Sequence, residues 1–127
     1  MDTDVVSYLL NRHSLAGVYE RLLAGREPMI SFMTVAEMYR GALKRNWGPR
    51  RMLELAEHLR QFAIVPYNFR VCLAYAQITN AAEKRGTPVA TADALIAASA
   101  LSLGIPLATH NKRHFQGIEG LTVISAP

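Results

Sequence analysis

Three carboxylates in this chain stand where carboxylates are costly. Asp2 opens the segment Asp2-Thr3-Asp4-Val5-Val6, just ahead of an apolar run. Glu37 closes Ser31-Phe32-Met33-Thr34-Val35-Ala36-Glu37, and Asp93 lies inside Thr91-Ala92-Asp93-Ala94-Leu95-Ile96-Ala97-Ala98. The chain has only ten Asp and Glu, so three in apolar or small-residue surroundings are a large share. A carboxylate in such a setting is destabilised by desolvation unless a cation or hydrogen bonds compensate. Acids converging from distant parts of one chain make an oxygen-rich site of the kind that hard cations prefer, which points to Mg²⁺ or Mn²⁺. Each acid also has a plainer reading. Glu37 could complete a capping box with Thr34. Asp93 could be a helix-start acid, stabilised by the helix dipole by roughly 0.3–1 kcal/mol. Asp2 could be a solvated terminal residue, and Asp4 a helix-start acid or a neighbour that bonds the ligands. Joint placement decides between the two sets of readings.

The elements that would place them alternate between short strands and longer helices. Met29-Ile30-Ser31-Phe32 reads as a buried strand, followed by a helix capped by Thr34 and running to about Arg45. A helix from about Pro49 to Phe62 presents Met52, Leu55, Ala56, Leu59 and Phe62 on one face. Ala63-Ile64-Val65-Pro66 is a strand, and Asn68 caps a helix from about Phe69 to Lys84 that Gly86 closes. Thr91 starts a helix ending at Gly104, and Leu107-Ala108-Thr109 and Thr122-Val123-Ile124 are the last strands. Strands separated by helices predict parallel pairing, with helices on both faces of the sheet. Ligands of such sheets bind beyond the carboxyl ends of the strands. Asp2, Glu37, Asp93 and the segment from Thr109 to Phe115 all fall at that end.

Composition bounds the function. A chain of 127 residues, half of them hydrophobic, is long enough for one domain with its own core. Cys72 is the only cysteine, which excludes an internal disulfide and a cysteine metal cluster. No run approaches the roughly 18 apolar residues of a membrane helix. The start lacks the layout of a signal peptide, so a cytoplasmic protein is expected. The net charge of +4 favours an anionic partner such as nucleic acid.

These segments together resemble the PIN-domain ribonucleases, of the VapC type found as toxins of bacterial toxin–antitoxin pairs. The resemblance is carried by Asp2-Thr3-Asp4, by Ser31 to Glu37 with Tyr39-Arg40-Gly41-Ala42, by Asp93 to Ala100, and by Leu107 to Asn111 with Phe115. It spans nearly the whole chain. It implies a three-layer α/β/α sandwich with a central, mainly parallel sheet, as a single PIN-like domain over residues 1–127. It implies that Asp2, Glu37 and Asp93 hold Mg²⁺ or Mn²⁺ and are catalytic, and that Thr109 and Asn111 line the site beside Asp4.

Two departures stand out. The family often carries a fourth acid just before a Phe; here that place is His114, which could bind Mn²⁺ directly, support the ligands from behind, or simply be a surface histidine. The family also has several apolar residues before its first Asp. This chain has only Met1, so either the start is truncated, which would lower stability, mobilise Asp2 and compromise activity, or the first strand is nearly absent.

The implied chemistry is metal-assisted hydrolysis of RNA phosphodiesters, leaving a 5′ phosphate and a 3′ hydroxyl. Arg40, Lys44, Lys112 and Arg113 are the candidate RNA-backbone contacts, since phosphate contacts supply most of the affinity. The resemblance further implies a homodimer, a cognate antitoxin seated in an apolar groove, and an RNA substrate such as tRNA or rRNA. The competing readings are a PIN-like RNA- or protein-binding module with weakened catalysis, and a phosphate-accepting regulator using Lys112.

Overall fold

The computed structural model describes residues 1–127. In chain order the elements are α1 (Thr3–Leu10), α2 (Ala16–Leu22), β1 (Met29–Ser31), α3 (Phe32–Lys44), α4 (Pro49–Leu59), β2 (Ala63–Val65), α5 (Phe69–Lys84), α6 (Thr91–Leu103), β3 (Leu107–Ala108), a 3₁₀ turn (Lys112–Phe115) and β4 (Val123–Ile124). The order expected from the sequence is present, and both strand pairs are parallel. Met29 pairs with Ala63 and Ser31 with Val65, while Leu107 pairs with Val123 and Ala108 with Ile124.

The first two residues tie the pairs together. The Met1 nitrogen donates to the Met29 carbonyl at 2.8 Å, and the Asp2 N–H donates to the Ala108 carbonyl at 2.8 Å. Met1 and Asp2 therefore lie between β1 and β3, and Asp2 is only 6% exposed. Backbone bonds and burial hold Asp2 without a long first strand.

Two apolar clusters flank the strands. Val6, Ile30, Ala42, Leu55 and Leu59 join α1, α3 and α4. Val71, Ile78, Ile96, Ala97, Leu107 and Phe115 join α5 and α6 to β3 and the 3₁₀ turn. Ala94 and the run from Ile96 to Ala100 are all buried, so α6 is enclosed rather than amphipathic. No helix is long and apolar enough to cross a membrane.

Capping separates what local sequence dictates from what packing overrides. Asn68 caps α5 as expected, its side chain accepting from the Val71 N–H at 2.9 Å. Gly104 ends α6 at φ +65°, the left-handed conformation that glycine adopts without strain. The α3 cap is Ser31, not Thr34: the Ser31 hydroxyl accepts from the Met33 N–H at 3.1 Å. Thr34 is fully buried inside the helix, so no capping box forms and Glu37 falls in the second turn. Removing the α5 cap with Asn68→Ala should cost about 1 kcal/mol, and Asn68→Asp only a few tenths. Urea unfolding of the two variants measures the difference.

Candidate active site

The acids are delivered by helix starts at the carboxyl ends of the strands. Asp2 caps α1 and Asp4 lies in its first turn; Asp93 lies in the first turn of α6. Helix N-termini favour negative charge, which partly offsets the cost of placing acids there. Glu37 arrives from α3, one turn after β1 ends at Ser31.

Hydroxyls and amides fix the carboxylates one by one. Thr109, fully buried at the end of β3, donates its hydroxyl to Asp2 Oδ2 at 2.7 Å. The Thr3 N–H donates to Asp2 Oδ1 at 2.7 Å, and the Thr3 hydroxyl donates to Glu37 Oε1 at 2.6 Å. Asp4 Oδ2 accepts from the His110 N–H and from Asn111 Nδ2, both at 3.0 Å. His114 Nδ1 lies 3.2 Å from Asp93 Oδ2. The Thr109 hydroxyl also accepts from the Asn111 N–H at 3.0 Å, which sets the turn between β3 and the 3₁₀ segment.

The charges act on one another. Burial raises the Asp93 carboxyl above its ordinary range, and the charges of Asp2 and Glu37 raise it further against the opposing pull of His114. Burial and the Asp2 charge likewise raise Asp4, against hydrogen bonds from Val5 and His110. Asp2 is thus the common neighbour, with Asp4 and Asp93 in its field and Glu37 linked to it through Thr3. No three of the His, Cys, Asp and Glu side chains yet form a ready-made ligand set for a metal ion. Each carboxylate is bonded by protein groups. The bonded oxygens of Asp2, Glu37 and Asp93 each keep a second lone pair. An all-carboxylate donor set that repels itself fits a hard divalent ion such as Mg²⁺ or Mn²⁺.

Across residues 1–121 the sequence matches the PIN domain family. The chain is a PIN-domain protein. It is 34% identical over 125 residues to Ribonuclease VapC1 of Haemophilus influenzae, an overlap of 95% of this chain and 92% of that one. It is 30% identical over 95 residues to the tRNA(fMet)-specific endonuclease VapC of Salmonella typhimurium, covering 74% of this chain and 71% of the relative. The fold superposes on VapBC-1 of nontypeable Haemophilus influenzae with a TM-score of 0.83 at 29% identity, covering 98% of this chain and 94% of that one.

Two residues of this PIN domain that the sequence did not single out shape the site. Tyr19, fully buried in α2, places its hydroxyl 2.8 Å from His110 Nδ1 and 3.3 Å from the Thr109 carbonyl. It thereby braces the turn that holds Asp2 and Asp4. Arg45, at the end of α3, lines a cavity with Asp4 and Glu37. Arg40, Lys44, Lys112 and Arg113 are exposed, and none of them lines that cavity. A tyrosine in an apolar helix reads as core, and one arginine among many carries no mark of its target.

Because Asp93 and Asp4 are raised, the folded chain holds protons more tightly than the unfolded chain. Their contribution to stability is full below the ordinary carboxyl value of 3.8 and is lost as pH climbs through the raised values. At neutral pH the ionised pair destabilises the metal-free protein. Asp93→Asn should therefore raise the melting temperature at pH 7 in a chelator, and the gain should shrink as pH falls toward 4. Differential scanning calorimetry across that range reads the sign directly.

Proposed function

We propose that this PIN domain is a divalent-metal-dependent endoribonuclease and the toxin of a toxin–antitoxin pair. The observation that carries the reading is the set of mutually repelling carboxylates at the strand ends of a chain related to VapC ribonucleases. Asp2, Glu37 and Asp93 hold Mg²⁺ or Mn²⁺, and one of them accepts the proton of the attacking water. When bound, the divalent ion activates that water and offsets charge developing at the leaving 3′ oxygen. Thr109 holds Asp2 in the rotamer that faces the site. Asn111 does the same for Asp4, and Asp4 adds negative charge beside the ligands. His114 bonds Asp93 and steadies it. Arg40, Lys44, Lys112 and Arg113 grip the RNA backbone, consistent with the chain's net charge of +4.

The remaining assignments follow the relatives. VapBC-1 and the VapBC of Salmonella typhimurium are toxin–antitoxin complexes, the latter bound to DNA. A cognate antitoxin and a homodimeric toxin in the cytoplasm are the corresponding partners and place for this chain. A relative specific for tRNA(fMet) makes tRNA the first substrate class to try, with rRNA second.

Cleavage of total tRNA and rRNA with Mg²⁺ or Mn²⁺, and its loss in chelator, tests the activity. Asp2→Ala, Glu37→Ala and Asp93→Ala should each lower the rate by more than ~100-fold, and Thr109→Val, which removes only a supporting bond, by ~10–100-fold. Unchanged cleavage by Asp93→Ala would remove that residue from the site. Metal-independent cleavage, or none by the wild type, would favour a binding module instead.

A further inference from the structure

Beside the acids lies a cavity of about 180 Å³, lined among others by Asp4, Asn11, Glu37, Gly41, Arg45 and Trp47. Asn11 and Trp47 also line a second cavity of about 170 Å³, together with Arg51 and His58. The two cavities share Asn11, Met38 and Trp47, and so border one another along a groove beside Asp4 and Glu37. Two features of that groove, Gly41 and Arg45, have no structural explanation within the chain, and a third residue, Trp47, brings an aromatic ring to it.

The first is Gly41. It sits inside the 13-residue α3, where glycine is less stable than alanine. Its φ is not positive, and a Cβ built there meets nothing within 4 Å. Neither backbone conformation nor packing calls for glycine, and the space a side chain would fill is the cavity. The second is Arg45, which borders a cavity holding two carboxylates yet forms no ion pair with either. Trp47, the sole tryptophan, packs against the cluster of Val6, Ala42 and Leu55 and borders the groove with the Arg51 guanidinium 3.9 Å from its ring centroid.

An aromatic ring beside two arginines that form no ion pair, next to a centre that cleaves phosphodiesters, matches how proteins track single-stranded nucleic acid. Thr3, Ser7 and Asn11 in the lining offer hydrogen-bonding groups for ribose hydroxyls and base edges. We propose that this cavity is the subsite for the nucleotide adjoining the cleaved phosphate, with Arg45 on its phosphate, Trp47 against its base and Gly41 keeping the space open. The proposal rests on the ribonuclease reading and adds a location and residues to it.

Trp47 reports on its own surroundings. A short single-stranded RNA of mixed sequence is titrated into the full chain, with Ca²⁺ replacing Mg²⁺ to slow hydrolysis. Tryptophan emission reads the cavity, and anisotropy of the same RNA carrying a dye reads binding. Emission should be quenched in step with binding. Gly41→Leu should abolish the quenching and weaken binding about tenfold, the scale of one lost stacking contact, at an unchanged or higher melting temperature. Arg45→Ala, at an exposed position, should lower the dependence of log affinity on log salt by about one ion. It carries the test if Gly41→Leu melts lower.

RNA that binds and is cleaved with Trp47 emission unchanged, and with both variants binding as the wild type, overturns the subsite and leaves the ribonuclease reading intact. Quenching by an amphipathic helical peptide, with none by RNA, overturns it in favour of a protein-docking groove. Neither binding nor cleavage of RNA overturns both.

Discussion

Repulsion between carboxylates at one end of the strands is the constraint around which the rest of the molecule is arranged. Asp2 faces Asp4 and Asp93, and Glu37 adds to the field at Asp93. Left alone, such a group would swing its acids outward into water. The protein prevents this with short, charge-assisted hydrogen bonds from Thr3, Thr109, Asn111 and the His110 amide. Stability is lost at the site, where burial and the Asp2 charge raise both Asp4 and Asp93.

That arrangement explains why so much of the scaffold converges on two short segments. Met1 and Asp2 bridge β1 and β3, so the residue that carries the central charge is also a seam of the fold. The turn from Thr109 to Asn111 contacts Asp2 and Asp4, and Tyr19 braces it from α2. Behind them α6 is buried on nearly every side, giving Asp93 a rigid base. A position error at Asp2 would therefore be felt by the sheet, by α1 and by the site together.

Much of this was legible in the sequence because the patterns were local. Asn68 stands directly ahead of an apolar helical run, and α5 spans Phe69–Lys84 as read. Glycine at 104 marks the end of α6 for the same reason. The α3 start was misread because Ser31 and Thr34 are both capping residues by type. What decides between them is the tertiary demand for Thr34 inside the helix, where the Thr3 hydroxyl lies 3.3 Å away. The rigidity of Asp2 was hidden too, since it comes from the Ala108 carbonyl, far along the chain. Likewise no periodicity distinguishes Arg45 from Lys44; only the turn of α3 beside Asp4 does.

In the proposed function these acids share one cation. Crystals soaked in Mn²⁺ and measured at its absorption edge show directly where the ion sits. The account predicts an anomalous peak within bonding distance, about 2.0–2.3 Å, of carboxylate oxygens from Asp2 and Asp93, with Glu37 completing the shell directly or through water. A well-occupied Mn²⁺ elsewhere on the chain, with Asp2 still bonded only to Thr3 and Thr109, would contradict it.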